Sequence, residues 1–388
     1  MKTQKKTMTS RERVITALEH REPDRVPMSM SITIDAYTNL KRYMGIEVEE
    51  KLKPGRWTEV PIQPQVAQKF GLDVIWLPMG KAHKKPRQST DPNKWFDGWG
   101  IEWTKIPLPG GGYYNEMTGP PLKDATIADL EDYPWPDPYD PGLVEGLREN
   151  FRHIHEDTEF AIMTKFGGAI FEQAWYLRGM EQFLMDLIKN QDFVTTLFEK
   201  IFKVQKGLDE AGLEAAGEYV DILRLSGEDL GTQEAPLISL QLFRRLVRPF
   251  LEKLWGFAKQ KLHEKNPRAK IMLHSCGAVQ PFIADWIDMG LDMLDPIQPR
   301  ARGMDPFELK AKFGDKLSFH GGIDAQQTLP FGTPGEVRQE TRRCIKALAP
   351  GGGYILAPVH NVQRDVSPEN LMAMRDAVEE FGYYPLDL

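Results

Sequence analysis

A histidine and a cysteine lie two residues apart in the segment LHSCG at 273–277. If this segment is a β-strand, His274 and Cys276 project to one side, with Cα atoms roughly 6.6 Å apart. Zinc binds imidazole nitrogen and thiolate sulfur, and a catalytic zinc site uses three protein ligands with one open position. We predict His360 as the third ligand, with His320 as the second candidate. A buried strand end that contains a cysteine is the competing interpretation, and the remaining cysteine, Cys344, is interpreted as structural.

Two neighbouring carboxylates in SGEDLGTQ, Glu228 and Asp229, can act as general acids or bases or supply a further metal ligand. Asp229 can equally cap a helix or bind a loop. His320 completes the set of catalytic candidates. The candidate substrate-binding residues are Gln298, Asn361, Trp76 and Met79.

The elements that position these residues follow from a repeated pattern. Apolar, β-rich runs alternate with longer amphipathic stretches, which predicts parallel strands joined by helices. The runs cover residues 26–34, 73–79, 160–167, 219–227, 270–277, 291–298, 317–323 and 353–361. Eight such units favour an α/β fold of the (β/α)8 barrel type, in which polar residues at the carboxyl ends of the strands form the active site. An open doubly wound sheet is the alternative.

Two segments lie outside this pattern in what we predict as a single domain, residues 1–388. An N-terminal helix begins with Ser10 as its N-cap and leads into the first strand. Aromatic alternation over 92–117 predicts β-hairpins inserted after the second strand, within an insert of about 85–140. The proline-rich stretch 131–142 is predicted to be an extended surface segment. The insert could be a lid or a contact between subunits of a homodimer.

The composition excludes several classes of function. A net charge of −7 argues against a nucleic-acid-binding surface. Two cysteines cannot build a disulfide framework, which favours a reducing cytoplasm. No apolar run reaches the roughly 18 residues that a membrane helix needs. We therefore expect a cytoplasmic protein that binds neither nucleic acid nor membrane.

Longer segments carry a resemblance that spans nearly the whole chain: RERVITALEHREPDRVP, GEDLGTQEAPLISLQLFRRLVRPFLEKL, HSCGAVQPFIADWIDMGLDMLDPIQ, and the stretch from FHGGIDAQQTLPFGTPGEV to GGGYILAPVHNVQRDVSPENL. Together they resemble the uroporphyrinogen decarboxylase superfamily, and the C-terminal half is the specific part. The resemblance implies a (β/α)8 barrel.

The superfamily has two main chemistries. Its true decarboxylases carry RQAGRY after the first strand and FSDI at the second, whereas this chain has SITIDAYTNLKRYMG and VIWLPMG there. The corrinoid-dependent methyltransferase branch is more similar, because its members bind zinc through H-x-C at the fifth strand and a cysteine at the eighth. Those positions are His274, Cys276 and, in place of the last cysteine, His360. The decarboxylases also have a histidine at this last position, without a metal.

The resemblance implies a zinc-dependent methyltransferase. It would move a methyl group between a corrinoid protein and a thiol or a small O-, N- or S-methyl compound, such as a methoxylated aromatic. The cobalamin would reside on a partner protein, because the chain lacks the D-x-H-x-x-G corrinoid signature. One alternative is a metal-independent decarboxylase or lyase that uses Asp229 and His360. Another is a non-catalytic barrel that binds a small molecule or a corrinoid.

Overall fold

The strands fall into one parallel and two antiparallel sheets. The computed structural model describes residues 7–47, 56, 58–108 and 112–387. The strands in these residues are β1 (Ile32–Thr33), β2 (Glu59–Val60), β3 (Val74–Pro78), β4 (Lys94–Phe96), β5 (Glu102–Pro107), β6 (Tyr113–Gly119), β7 (Ala161–Lys165), β8 (Ile222–Gly227), β9 (Lys270–His274), β10 (Met293–Ile297), β11 (Ser318–Ile323) and β12 (Tyr354–Pro358).

Seven parallel strands form the barrel wall, in the order β12–β11–β10–β9–β8–β7–β3. Strands β10, β11 and β12 are buried along their whole length. A strand covered on both faces needs apolar residues at nearly every position, and this explains why the runs in the sequence are continuous rather than alternating. The predicted (β/α)8 barrel class is confirmed.

The first predicted strand, 26–34, is only partly correct. Residues 26–31 occupy the gap between β12 and β3 without forming a regular strand. Their backbone joins both neighbours: Ser29 N–H donates to Leu356 O at 2.9 Å, and Asp73 N–H donates to Met28 O at 2.8 Å. Only Ile32–Thr33 is a strand, and it pairs with β2 outside the barrel. Pro27 has no N–H to donate, so this segment cannot complete a ladder.

The α-helices of the described residues lie outside the wall, most of them between consecutive barrel strands. They are α1 (Ser10–Leu18), α2 (Ile34–Tyr43), α3 (Pro64–Phe70), α4 (Asp129–Asp132), α5 (Leu147–Asp157), α6 (Phe171–Arg178), α7 (Met180–Lys189), α8 (Gln191–Ala216), α9 (Leu240–Leu242), α10 (Arg248–Lys265), α11 (Ile283–Asp288), α12 (Pro306–Phe313), α13 (Thr328–Phe331), α14 (Pro334–Leu348) and α15 (Pro368–Phe381). None of the helices in the described residues has both the length and the apolarity needed to cross a bilayer.

Several of these helices begin where the sequence provides a cap. Asp305, Thr333 and Ser367 each accept a backbone N–H at the start of α12, α14 and α15, and a proline follows each of them. The N-terminal helix α1 is capped by Thr9 in a capping box with Glu12, so the predicted N-cap at Ser10 is one residue late.

Helix α1 closes the amino-terminal end of the barrel. Its Val14 and Leu18 pack in one buried cluster with Val74, Met163 and Met272, whose side chains belong to the barrel strands. This cluster closes the floor of the barrel on the side opposite to the carboxyl ends of the strands.

The inserted sheet β4–β5–β6 is antiparallel, as the aromatic alternation predicts. Trp103 is completely buried, stacks on Trp95 at 5.8 Å between ring centroids, and lies 5.5 Å from the ring of Tyr176 in α6. Residues 109–111, which include two glycines of the predicted turn, lie outside the described residues. The aromatic contacts fix the insert against α6, at the rim of the barrel.

Candidate active site

A cavity of about 350 Å³ opens at the carboxyl ends of the barrel strands. Its floor is apolar, with Met163 on β7 and Met272 on β9. Two residues further along the same strands, Lys165 and His274 point into the same space because side chains on a strand alternate. A polar layer therefore lies directly above the sealed floor.

His274, Cys276 and His360 form a potential metal centre in this layer. The Cys276 Sγ lies 3.4 Å from His274 Nε2. One ligand atom from each of the three residues lies within 4.8 Å of the other two. Zinc ligands at 2.0–2.3 Å in a tetrahedron lie roughly 3.3–3.8 Å apart, so His360 needs to approach by about 1 Å. The donor set, two imidazoles and one thiol, suits zinc.

Asp295 holds His274 in the orientation that a metal ligand needs. The Asp295 Oδ2 accepts the Nδ1–H of His274 at 2.6 Å, so in the neutral ring the lone pair of Nε2 faces Cys276. Carboxylates behind ligating histidines play this part in zinc proteins. Burial and Arg224 act to lower the pKa of His274, but Cys276 and Asp295 raise it, and the result lies well above the usual value.

The same carboxylate binds a second histidine. Asp295 Oδ1 accepts the Nδ1–H of His320 at 2.6 Å, and Ser29 Oγ lies 2.5 Å from His320 Nε2. Burial acts to raise the pKa of Asp295, but His320 and His274 hold it well below its usual value. His320 is therefore tied to the metal centre through Asp295, and it is not one of the three clustered ligands.

Asp229 positions the segment 275–277 that follows β9, which we call the cysteine loop. Its Oδ1 accepts the Cys276 N–H at 2.8 Å and lies 3.9 Å from His274 Nε2. Burial and the Asp229 charge raise the pKa of the Cys276 thiol, while His274 lowers it, and the pKa is raised on balance. A bound cation would favour the thiolate, because a metal deprotonates a coordinating thiol.

His360 faces the open cavity and is exposed to solvent there, although protein atoms surround the cavity. Burial and the neighbouring His274 lower its pKa to about 4. The ring is therefore neutral at physiological pH, which is the form that binds a metal.

A bulge at the end of β8 shapes the wall beside the metal centre. The pairing with β9 shifts between Arg224 and Gly227, and Ser226 adopts a positive φ of 57°. Bulges near active sites commonly redirect side chains. A Cβ on Gly227 would overlap Glu172 Oε2, so a larger residue here would displace this carboxyl group from its position in the cavity. Burial and Asp229 raise the pKa of Glu172.

The predicted substrate-binding residues divide into two groups. Trp76 and Asn361 line the cavity, whereas Met79 packs against the hydrophobic core and Gln298 lies behind the wall. Gln298 Oε1 accepts the Gly277 N–H at 2.9 Å, so it supports the loop that follows the cysteine.

The two candidate carboxylates also differ. Glu228 is completely buried and lies outside the cavity. Its carboxylate accepts the N–H groups of Ile170, Phe171 and Glu172 at 2.5–3.1 Å, which caps the start of α6. Burial raises its pKa to about 8 despite these hydrogen bonds. Because its oxygens are occupied by a helix terminus, the catalytic role of Glu228 stays a prediction, and of these two carboxylates only Asp229 lines the cavity.

The prediction from sequence missed Lys165, Arg224, Glu172 and Asp295, all of which line the cavity. The sequence did contain a signal for three of them. Lys165, Arg224 and Asp295 are charged residues inside largely apolar strand runs, and a charge there must face either a partner or a water-filled site.

Comparison with known proteins agrees with the fold. The family model described as Uroporphyrinogen decarboxylase (URO-D) matches residues 112–381, more than half of the chain. The chain belongs to this family. Its relatives include the uroporphyrinogen decarboxylase of Psychromonas ingrahamii, 24% identical over 283 residues that cover 70% of this chain and 74% of the relative. The corresponding enzyme of Pseudomonas fluorescens is 23% identical over 281 residues, with the same coverage of 70% and 74%.

A solved structure shares the architecture over almost the whole length. It is described as a methyltransferase from Methanosarcina mazei, superposes with a TM-score of 0.64, and covers 96% of this chain and 99% of its own. At 20% sequence identity, this similarity shows that the two chains have the same fold.

Proposed function

We propose that this member of the family is a zinc-dependent methyltransferase that moves a methyl group between a small substrate and a corrinoid protein. The observation that carries the proposal is the group His274, Cys276 and His360, whose ligand atoms lie within 4.8 Å of one another at the open end of the barrel. Zinc there would hold a thiol acceptor as thiolate or polarise the leaving atom of a methyl donor. The methyltransferase of the same fold supports this choice.

The chain's own residues would prepare the site. Asp295 keeps His274 Nε2 free to bind, and Asp229 holds the cysteine loop in place. Asp229 Oδ1 lies 3.9 Å from His274 Nε2 and borders the cavity, which suits it for moving a proton to or from the substrate. His320, hydrogen-bonded to Ser29 at the cavity wall, is a second group for that role.

The cavity sets the size of the substrate. About 350 Å³ lies at the lower end of the range for ligand pockets, so the substrate is a small molecule. The corrinoid is too large to enter and would be presented by a partner protein docked on the rim. The inserted sheet contributes Tyr114 to the cavity wall, so the partner would dock beside it.

The experiment measures zinc content and methyl exchange with methylcobalamin in parallel. We expect about one zinc per chain and exchange with a small methyl compound or a thiol. His274→Ala and Cys276→Ala should lose both. Cys344→Ala, at a buried cysteine on α14, and His153→Ala, at an exposed histidine on α5, are the matched controls and should retain both. Full activity in metal-free protein would refute the zinc mechanism.

The second candidate is a metal-independent decarboxylase or lyase acting on another small acid, in which Asp229 and His360 move protons. The named decarboxylases that match 70% of this chain favour it. Release of carbon dioxide that chelators leave unchanged, and that Asp229→Asn abolishes, would select this function over the first.

A further inference from the structure

We infer that Lys165 and Arg224 bind an anionic group of the substrate, so that the molecule that this site takes is a small methylated acid. The inference rests on the proposed function and specifies the substrate class of the same cavity. The anion would lie beside β7 and β8, and the methyl-bearing end of the molecule would point towards the metal centre.

The barrel register places the two cations side by side. Met163 pairs with Ile222 and Thr164 with Leu223 between β7 and β8, so Lys165 and Arg224 are the next inward-facing neighbours. Both line the cavity. Adjacent strands are roughly 4.8 Å apart, so a substrate bound at Lys165 reaches His274, two strands away, across roughly 10 Å. A single-ring carboxylic acid with a methoxy group has about this length.

Among the described residues, the Lys165 ammonium group has no counter-ion. No carboxylate in the part of the chain that the structure describes lies within ion-pair distance of its Nζ, and the side chain is exposed to the cavity. The charged groups that act on it are Arg224 and Arg56, which repel it, and Glu172 and Glu59, which attract it from further away. Arg56 is itself neutralised by Asp97 at 2.8 Å.

Lys165 carries its charge at neutral pH. Burial, then Arg224 and Arg56, lower its pKa to about 8. The charge of Lys165 is unfavourable here because Arg224 repels it and the cavity is partly shielded from water. A bound anion would offset this unfavourable electrostatic free energy.

Two further donors in the same wall lack acceptors. Arg224 contacts Asp295 only at 3.6 Å, and its buried Nε has no hydrogen-bond partner among the described residues. Gln173 is 5% exposed and lines the cavity, and its Nε2 also has no acceptor there. Buried donors are nearly always satisfied in native proteins, so a ligand rich in acceptors fits this wall. A carboxylate or a sulfonate provides several negatively charged acceptor oxygens, whereas a neutral methyl ether or methylamine provides a single uncharged acceptor atom.

The remaining wall fits the body of such a molecule. Trp76 and Tyr114 line the cavity and offer aromatic surface, and Tyr176 lies beside them with its hydroxyl donating to Glu172 Oε1 at 2.9 Å. A flat, apolar ring can therefore fill the space between Lys165 and Arg224 on one side and the metal centre on the other.

The test is calorimetric binding to the full-length protein, with 4-methoxybenzoate, 4-methoxybenzenesulfonate and the neutral 4-methoxybenzamide as probes. We expect the wild-type protein to bind an anionic probe at least about tenfold more tightly than the amide. Lys165→Met should remove most of this preference, because only Arg224 remains, whereas Lys165→Arg should keep most of it. Lys316→Met, just before β11 at the opposite end of the barrel, is the matched control and should behave as wild type.

The probes and variants decide the outcome. The carboxylate and the sulfonate reveal which anion the wall prefers, and either preference supports the inference. Equal affinity for the amide, no binding of any probe at millimolar concentration, or an unchanged preference in Lys165→Met would overturn it. Unfolding temperatures check that each variant is folded. Because binding needs no methyl transfer, a failed exchange assay with intact anion binding would reject the proposed function alone, and the converse result would reject only this inference.

Discussion

Replacing Asp295 with asparagine tests whether the metal centre is built as described. The aspartate accepts Nδ1–H groups from both His274 and His320, each at 2.6 Å. Asparagine has nearly the same shape but a single acceptor oxygen, so its amide N–H groups must face one of the two rings. That ring must then place its proton on Nε2. If it is His274, the lone pair that would bind zinc is lost.

The loss of zinc affinity expected in Asp295→Asn can be estimated from this mismatch of donors and acceptors. Loss of the carboxylate behind a ligating histidine typically lowers metal affinity about 10- to 100-fold, which is roughly 1.4–2.7 kcal/mol. We expect Asp295→Asn to fall within that range and not to abolish binding, because Cys276 and His360 remain. Competition with a chromogenic zinc chelator at a fixed pH measures the change directly.

A second buried aspartate provides the control. Asp285 is 1% exposed and pairs with Arg244 and Arg248 on the outside of the barrel. Asp285→Asn removes a comparable buried charge, so we expect lower stability with unchanged zinc affinity. If Asp295→Asn binds zinc as tightly as wild type, or if Asp285→Asn weakens binding equally, the assigned role of Asp295 is wrong.

Three further outcomes follow from the structure. Gly227→Ala should lower kcat/KM without changing zinc content, because its new Cβ would overlap the Glu172 carboxyl group. Relative to the wild type, Asp209→Asn should gain about 2.6 kcal/mol of stability between pH 5 and pH 8. Burial raises the pKa of Asp209 to about 7, so the wild-type protein loses stability as pH rises from the unfolded-state pKa of about 4 to that value. Affinity for an anionic probe should fall above about pH 8, where Lys165 loses its proton, and level off near the affinity of Lys165→Met.

Each of these has a measurement that can contradict it. Steady-state kinetics of Gly227→Ala are compared with those of Gly256→Ala, where a Cβ on α10 meets no atom within 4 Å. Thermal unfolding of Asp209→Asn must show the larger gain at the higher pH, and a constant gain would reject the linkage. Calorimetry of Lys165→Met should show no loss of affinity above pH 8, and a loss equal to that of the wild type would assign the titration to another group.

The carboxylates illustrate how far sequence reasoning could reach. Glu228 and Asp229 are adjacent in the chain and chemically equivalent as catalytic candidates. The structure separates them: Glu228 points to the N-terminus of α6 and Asp229 to the cysteine loop. Which neighbour each one meets depends on helices and loops 47–58 residues away in sequence, and no local pattern encodes that choice.

The first strand illustrates a different limit. Residues 26–34 have the composition of a strand. Their backbone conformation is set by the space between β12 and β3, because they hydrogen-bond to residues on both sides. Because proline has no backbone N–H, the segment forms isolated backbone hydrogen bonds with its two neighbours and not a regular ladder.

By itself, the sequence determined the alternation of strands and helices, and with it the barrel class and the end at which His274, Cys276 and His360 must lie. Those properties follow from local periodicity, which every short segment carries within itself. Only the tertiary structure decided that Asp295 joins His274 to His320, and that Lys165 lies beside Arg224 with no counter-ion among residues 7–47, 56, 58–108 and 112–387. Such contacts depend on the register of separate strands around the closed barrel, and that register is set by the packing of the whole chain.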